Sequence, residues 1–463
     1  MNIFQVNRSQ IQSRLEPKFY SEKYLNNEKR LCEASYPVKK LSEVAMLISD
    51  GTHFTPKYQS SGKKFLSVKD VRASKIDYSN SMFISDEEFE MLSKRCKPQK
   101  NDILLTKIGA TFGLAAVIDT NEEFQIFVSL ALIRPNMEII NPYYLEICLN
   151  SNFSYLQFDR NLKGAGVPDL HLEEIRKLIV VVPSMKKQME IVSFYRDALQ
   201  LSRNKQEMAK KLLESINTYL LSELEIILPE KDNSLSTRMF TVKFNEVCGE
   251  RLDVFYNDSY YSLLHKSMYK SKYEKIHLSN LITDLKNGVE IRNYVEKGLR
   301  YLRVSDLSED GIVNFNIRFV NAKTIPTRIK LNKNSFLISR SGSLGLVSAV
   351  TDEIQDSILS SHIFKVDLNV HKIIPEYLEA YLRCSLGQYQ FFKNNNGGVI
   401  PEINQGAINK IIVILPSLSK QKEIADHIKS IRNQAKTLQN EAEQILADAK
   451  TKVEKMILGE KNA

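Results

Sequence analysis

One stretch of this sequence occurs twice. From Ile175 to Ile191 it reads Ile-Arg-Lys-Leu-Ile-Val-Val-Val-Pro-Ser-Met-Lys-Lys-Gln-Met-Glu-Ile, and from Ile408 to Ile424 it reads Ile-Asn-Lys-Ile-Ile-Val-Ile-Leu-Pro-Ser-Leu-Ser-Lys-Gln-Lys-Glu-Ile. Both copies pass from an apolar run, through Pro-Ser, into a helical pattern. A period of 233 residues in a chain of 463 means two similar halves. Length agrees, because domains of roughly 100–200 residues are the norm and one core cannot serve the whole chain.

The echo extends beyond the junction. Arg14-Leu15-Glu16 returns as Arg251-Leu252-Asp253, and Leu41-Ser42-Glu43-Val44 as Leu278-Ser279-Asn280-Leu281, each followed by a glycine loop at Gly51 or Gly288. Phe65–Val71 pairs with Tyr301–Leu307, and both alternate as half-buried strands do. Lys100–Gly109 pairs with Lys333–Gly342: a turn, a buried strand, then a hydroxyl, a base and a glycine. Further strands are expected at Phe127–Ile133 and Ile358–Val366. Between Pro142–Val192 and Pro375–Ala425 no gap is needed and 20 of 51 pairs are identical. That block holds a helix (Tyr143–Phe158), a Gly-Pro loop (Gly164 to Pro168; Gly397 to Pro401), a short helix and the apolar strand. Alternating strands and helices predict an α+β class, each half an α/β unit.

After each Pro-Ser the pattern is purely helical. Ile424, Ile428, Ile431, Ala435, Leu438, Ala442, Ile445, Ala449, Lys452 and Met456 step by four and three, a heptad seam with one polar position. The first copy is less regular: Ile191, Tyr195, Ala198, then polar Ser202 and Lys205, then Ala209, Leu212, Ile216 and Leu220. A helix of some 40 residues, roughly 60 Å long, would expose such a stripe unless the two copies packed on each other. Two units related by a pseudo-two-fold axis would make them antiparallel. The expected division is a first domain at 1–183, its helix at 184–229, a polar linker and second domain at 230–416, its helix at 417–458, and a tail at 459–463.

Catalytic motifs do not survive the repeat. Asn141-Pro142-Tyr143-Tyr144 resembles an amino-methyltransferase signature, but the other copy is Ile374-Pro375-Glu376-Tyr377, which keeps only a helix start. Pro168-Asp169 with Glu173, Glu174 and Lys177 resembles a nuclease metal site with the wrong spacing, and its copy has Gly406 and Ala407 where acids belong. The histidines (His53, His171, His265, His277, His362, His371 and His427) form no metal-ligand spacing. Gly62-Lys63-Lys64 lacks the phosphate-loop frame. Five single cysteines, Cys32, Cys96, Cys148, Cys248 and Cys384, fit a reducing cytoplasm. No apolar run reaches the roughly 20 residues of a membrane span, and the N-terminus does not read as a signal peptide.

Recognition remains. The net charge of +9 and pI near 9.0 suit a polyanion, although solvated lysines alone give the same figure. Thr106, Lys107, Ser339 and Arg340, beside Gly109 and Gly342, could meet phosphates or base edges; an ordinary turn with a solvated cation is the plain alternative. Further basic candidates are Lys69, Arg72, Lys94, Arg95 and Lys97 in the first half, and Arg292, Arg300, Arg303, Arg328 and Lys330 in the second. Lys163 and Asn394–Asn396 precede the glycine loops.

The paired Pro-Ser…Lys-Gln-x-Glu-Ile junctions, the Arg-Leu-Glu/Asp starts and the Lys-x-Gly and Arg-x-Gly elements resemble the specificity (S) subunit of type I restriction-modification systems, from about Arg14 to Leu458. The resemblance implies two target-recognition domains, each reading half of a bipartite asymmetric site on double-stranded DNA. It implies an antiparallel helix pair that sets the spacer and binds two methyltransferase (M) subunits, with restriction (R) motor-nuclease subunits joining. No cofactor is then expected on this chain, and S-adenosylmethionine, Mg²⁺ and ATP belong to partners. Alternatives are the recognition subunit of another methyltransferase–nuclease assembly, a methyltransferase or nuclease with atypical motifs, or a scaffold whose charge is incidental.

Overall fold

The structure is a computed structural model and describes residues 16–163, 166–232, 234, 239, 241, 243, 251–254, 256–309, 311–321 and 330–460. Arg14, Leu15, Gly164, Cys248, Arg328 and the linker positions Asn233 and Leu235–Thr237 lie outside the described residues. The chain divides into two compact units, Met1–Lys205 with Asn440–Ala463, and Gln206–Gln439. The divisions fall inside the two long helices, Met185–Glu223 and Leu418–Leu458.

Both units run through the same series of strands. In unit 1, Val38–Lys40 pairs antiparallel with Ile179–Val181. A four-stranded antiparallel sheet follows in the order Ala45–Asp50, Leu130–Pro135, Ile103–Thr106, Ala115–Val117. A smaller sheet sets Lys63–Leu66 between Met82–Ile84 and Phe124–Ile126, the last pairing parallel. Unit 2 repeats this with Glu274–His277 on Ile412–Leu415, the sheet Ile282–Asn287, Ile363–Leu368, Ser335–Ser339, Val347–Ala349, and a smaller sheet about Leu299–Leu302.

The central strands read as unbroken apolar runs because each lies between two cores. Successive side chains of a strand point to opposite faces. Thus Ile103, Leu105, Ala131 and Ile133 join the helical core, while Leu104, Leu130 and Leu132 face the smaller sheet. In unit 2, Phe336, Ile338, Phe364 and Val366 face one way and Leu337 and Ile363 the other.

Five expected elements are shorter or divided, three of them at a polar group. The Phe65–Val71 strand stops at Leu66 because Asp70 accepts the Ser67 N–H at 2.7 Å and folds the chain into a turn; Asp306 does the same to Arg303 N–H at 2.8 Å, ending its strand at Leu302. The run around Phe127–Ile133 crosses between sheets, as Phe124–Ile126 and Leu130–Pro135, and Ile358–Val366 divides likewise into Ile358–Leu359 and Ile363–Leu368. Tyr143–Phe158 becomes two helices, Pro142–Leu149 and Asn152–Asn161. Ser151 separates them, its hydroxyl donating to Cys148 O at 2.6 Å and capping Ser154 N–H at 3.4 Å.

At each Pro-Ser junction one fully buried glutamine ties helix to domain. Gln188 Oε1 accepts Asn141 N–H at 2.7 Å, and its Nε2 donates to Ile139 O at 3.0 Å and Pro183 O at 2.9 Å. Gln421 repeats all three bonds, to Ile374 N–H at 2.9 Å, Lys372 O at 3.0 Å and Pro416 O at 2.9 Å. Three bonds satisfy three backbone groups that no helix or sheet ladder reaches.

Within each unit the long helices pack antiparallel. In unit 1, Ser202 Oγ donates to Ala442 O at 2.9 Å and Lys205 Nζ reaches Glu441 at 2.6 Å. In unit 2 the rings of Tyr219 and His427 lie 4.2 Å apart and Lys420 meets Glu223 at 2.5 Å. Ile191, Ile424, Ile428 and Ile431 are buried; Tyr195, Ala198, Leu212, Ile216, Leu438 and Ile445 are half-buried. Lys452 is not in the seam. Val453 is buried instead, and Lys452 lies over the Phe194 ring at 5.1 Å, because here the second helix turns its apolar residues into the unit 1 core.

Candidate nucleic-acid interface

The hydroxyl–base–x–glycine elements form one corner in each unit. Thr106 and Ser339 end their strands fully buried. Thr106 Oγ1 donates to Thr111 O at 2.6 Å and accepts Leu114 N–H at 2.8 Å; Ser339 Oγ accepts Leu346 N–H at 2.9 Å. Both hydroxyls hold their own loops from beneath rather than facing outward. The loops turn at Gly109 and Gly342, with φ of 97° and 96°, where any side chain would be strained.

The Gly-Pro loop closes over each corner. Gly109 N–H donates to Pro168 O at 2.9 Å and Leu170 N–H to Lys107 O at 2.9 Å; Gly342 N–H donates to Pro401 O at 3.1 Å and Ile403 N–H to Arg340 O at 2.9 Å. The acid after each proline meets the base. Lys107 Nζ lies 3.9 Å from Asp169, and Arg340 donates to Glu402 Oε1 through Nε at 3.1 Å and Nη2 at 2.8 Å. Glu402 is therefore the counter-ion of Arg340, whereas Asp169 stands at the outer limit of an ion pair with Lys107.

Other expected residues fall around these corners. Lys163 pairs through its backbone with Asp169, and its ammonium lies 3.6 Å from Glu174. Asn394 ends the Ser385–Lys393 helix and donates to Gln390 O at 2.8 Å, while Asn396 N–H donates to Glu402 O at 2.7 Å. Lys69 and Arg72 are exposed on a separate turn, with Arg72 Nη1 donating to the Lys69 and Val71 carbonyls at 2.9 Å. Ser129 links that turn to the corner, accepting Val68 N–H with its hydroxyl at 3.2 Å and Lys107 N–H with its carbonyl at 2.9 Å. Arg303 lies in the equivalent turn of unit 2, its Nε and Nη2 held by Asp306 at 3.2 and 2.8 Å.

Sequence reasoning names Arg95 as a basic candidate but misses the carboxylate that stands beside Lys107. Asp50, whose side chain is 4% exposed, lies 3.5 Å from Lys107 Nζ and accepts Arg95 Nη2 at 2.7 Å. His53 Nε2 is 3.4 Å from the same Asp50 oxygen, and His171 is 3.6 Å from Asp169. The available signal was the glycine after Asp50. A Cβ on Gly51 would lie 1.9 Å from Ile126 O, and one on Gly288 2.2 Å from Ser360 O, so both loops are pressed against a neighbouring backbone at one equivalent place.

Asn141 is a helix cap, its Oδ1 accepting Tyr143 N–H at 2.9 Å and Tyr144 N–H at 3.3 Å. Burial pushes the Cys96 and Cys148 thiols up to about 12 and Cys384 to about 11, so none is a ready nucleophile. Among the described residues no group of three or more His, Cys, Asp or Glu could hold a metal ion, and no helix is long and apolar enough to cross a membrane.

Fold and corners define an internally repeated chain that presents one scaffold twice with unlike polar side chains. The family described as type I restriction modification DNA specificity domain matches residues 35–218 and 283–447. The chain is 27% identical over 163 residues to the EcoBI type I specificity subunit of Escherichia coli, a match spanning 35% of this chain and 34% of that one. It is 22% identical over 394 residues to the MjaVIII specificity subunit of Methanocaldococcus jannaschii, covering 81% and 82%. A chain from a solved structure concerning complex assembly and conformational transition of the type I R-M system shares the fold, with TM-score 0.56 and 13% identity over 91% of this chain and 97% of that one. The chain belongs to the type I restriction modification DNA specificity family, as a specificity subunit.

Proposed function

We propose that each unit reads one half of a bipartite, asymmetric site on double-stranded DNA. The observation that carries this reading is the paired corner: the same backbone bonds recur in both units around different side chains. Identical readers would suit a palindrome, whereas unlike readers on a common scaffold suit an asymmetric site. The net charge of +9 favours a polyanionic partner. The long helices set the distance between half-sites and carry two methyltransferase subunits, with restriction subunits joining them. S-adenosylmethionine, Mg²⁺ and ATP are assigned to those partners, and this chain contributes recognition without a catalytic site of its own.

Methylome sequencing of cells with and without the chain tests the reading. A two-part adenine motif should appear only when the chain is present. A methylome that does not change, or methylation by the isolated chain without a methyltransferase subunit, refutes it.

A further inference from the structure

The two corners share their backbone and differ in their side chains, and this difference locates discrimination. Bonds made in both units, such as Gly109 N–H to Pro168 O and Gly342 N–H to Pro401 O, cannot distinguish one half-site from another. Unlike side chains at equivalent places can. The residue ending the first sheet strand is Asp50 in unit 1 and Asn287 in unit 2. The third residue beyond it is His53 in one and Glu290 in the other.

Unit 1 brings an arginine to this place. Arg95 follows the Asp86–Ser93 helix, and its Nη2 donates to Asp50 at 2.7 Å with His53 Nε2 at 3.2 Å. Asp50 is nearly enclosed, whereas the Arg95 side chain is 57% exposed. Among the described residues, Arg95 Nη1 and Nε have no hydrogen-bond partner. Asp50 therefore fixes the fork through Nη2, and a two-pronged contact pairs the second Nη2 N–H with Nη1 or with Nε, which share no edge with each other.

That arrangement suits a base edge better than a phosphate. A phosphate grip needs charge and tolerates a mobile side chain, but here the charge is offset by a carboxylate. A base edge needs direction, because guanine offers O6 and N7 to a planar fork in one orientation. Resting on the reading of unit 1 as the reader of one half-site, we propose that Arg95, braced by Asp50, reads a guanine of that half-site through O6 and N7 in the major groove.

The test begins with methylomes of cells carrying the wild-type chain, Arg95→Ala or Arg95→Lys. Arg95→Ala should accept any base at one guanine of one half-site and leave the other half-site unchanged. The assembled complex is then titrated with DNA carrying 7-deazaguanine at each guanine in turn. Wild type should lose about ten- to a hundredfold in affinity at one position, and Arg95→Ala should show no such loss there. An unchanged motif, relaxation at a position that is not guanine, or equal weakening on every sequence as a phosphate contact gives, overturns the proposal. If Arg95→Ala methylates nothing, the wild-type titration decides, and a half-site with no 7-deazaguanine-sensitive position overturns it. A wild-type methylome that does not depend on the chain fails the half-site reading itself, before Arg95 is reached.

Discussion

Replacing Gln188 by leucine should cost unit 1 more than any surface change in the chain. The side chain is fully buried and makes three hydrogen bonds of 2.7, 3.0 and 2.9 Å. At about 1 kcal/mol net for each bond the loss is about 3 kcal/mol, and groups left buried without partners raise it toward 5 kcal/mol. Glutamate is the sharper probe. It keeps an acceptor for Asn141 N–H but turns a second carboxylate oxygen toward the Ile139 and Pro183 carbonyls. It should be at least as damaging near neutral pH and partly recover in acid, where a protonated carboxyl can donate once. Amide hydrogen exchange resolves the effect by region. Gln188→Leu should lower protection at 136–145 and spare 369–378, and Gln421→Leu should do the reverse, because the two glutamines share no partner. Urea unfolding supplies the magnitude. A loss below about 1 kcal/mol in both variants, with protection unchanged, would refute the view that these glutamines lock the joints.

Two further outcomes follow from paired positions. Burial holds the Glu146 carboxyl above the usual range, opposed by its bond from Val117 N–H. A raised value favours the protonated form in the fold, so its ionisation costs stability as pH rises from 4.5, the ordinary value, through the folded one. Glu146→Gln should therefore gain on wild type over that window, whereas Glu379→Gln should lose at neutral pH, because Arg432 and Arg383 reach Glu379 at 2.9 and 3.2 Å. A loss from Glu146→Gln over that window, or a gain from Glu379→Gln at neutral pH, in thermal melts would refute this. Gly109→Ala should cost only its left-handed backbone, about 1–2 kcal/mol, since no atom lies within 4 Å of the added carbon, whereas Gly51→Ala must displace Ile126 O from 1.9 Å; equal losses of thermal stability would count against that distinction.

Much of the scaffold is legible in the sequence because apolar periodicity and repetition are local signals. The junctions, the buried strands and the Ile424–Ile431 steps are read from spacing alone. The ends of elements are less legible, since Asp70 and Ser151 stop a strand and a helix through a few side-chain hydrogen bonds. Lys452 is misassigned to the seam because steps of three and four are equally regular on paper, and only the core into which Val453 turns decides between them. The corner is harder still. Lys107 and Arg340 stand out as bases beside glycines, but the nearest carboxylates, Asp50 and Glu402, lie far along the chain. Arg95 meets Asp50 across 45 residues, which no short motif spans.

The composition of unit 1 has a consequence for synthesis. Val453, Met456, Ile457 and Leu458 belong to its core, Ser35 N–H donates to Leu458 O at 2.8 Å, and Arg30 reaches Glu460 at 3.1 Å. Unit 2 is one continuous span, Gln206–Gln439. A ribosome releasing about 5–20 residues per second takes on the order of tens of seconds to cross that span. The half made first is thus the half finished last: unit 1 waits with an open apolar surface while unit 2 is completed, and closes only when the final helix emerges.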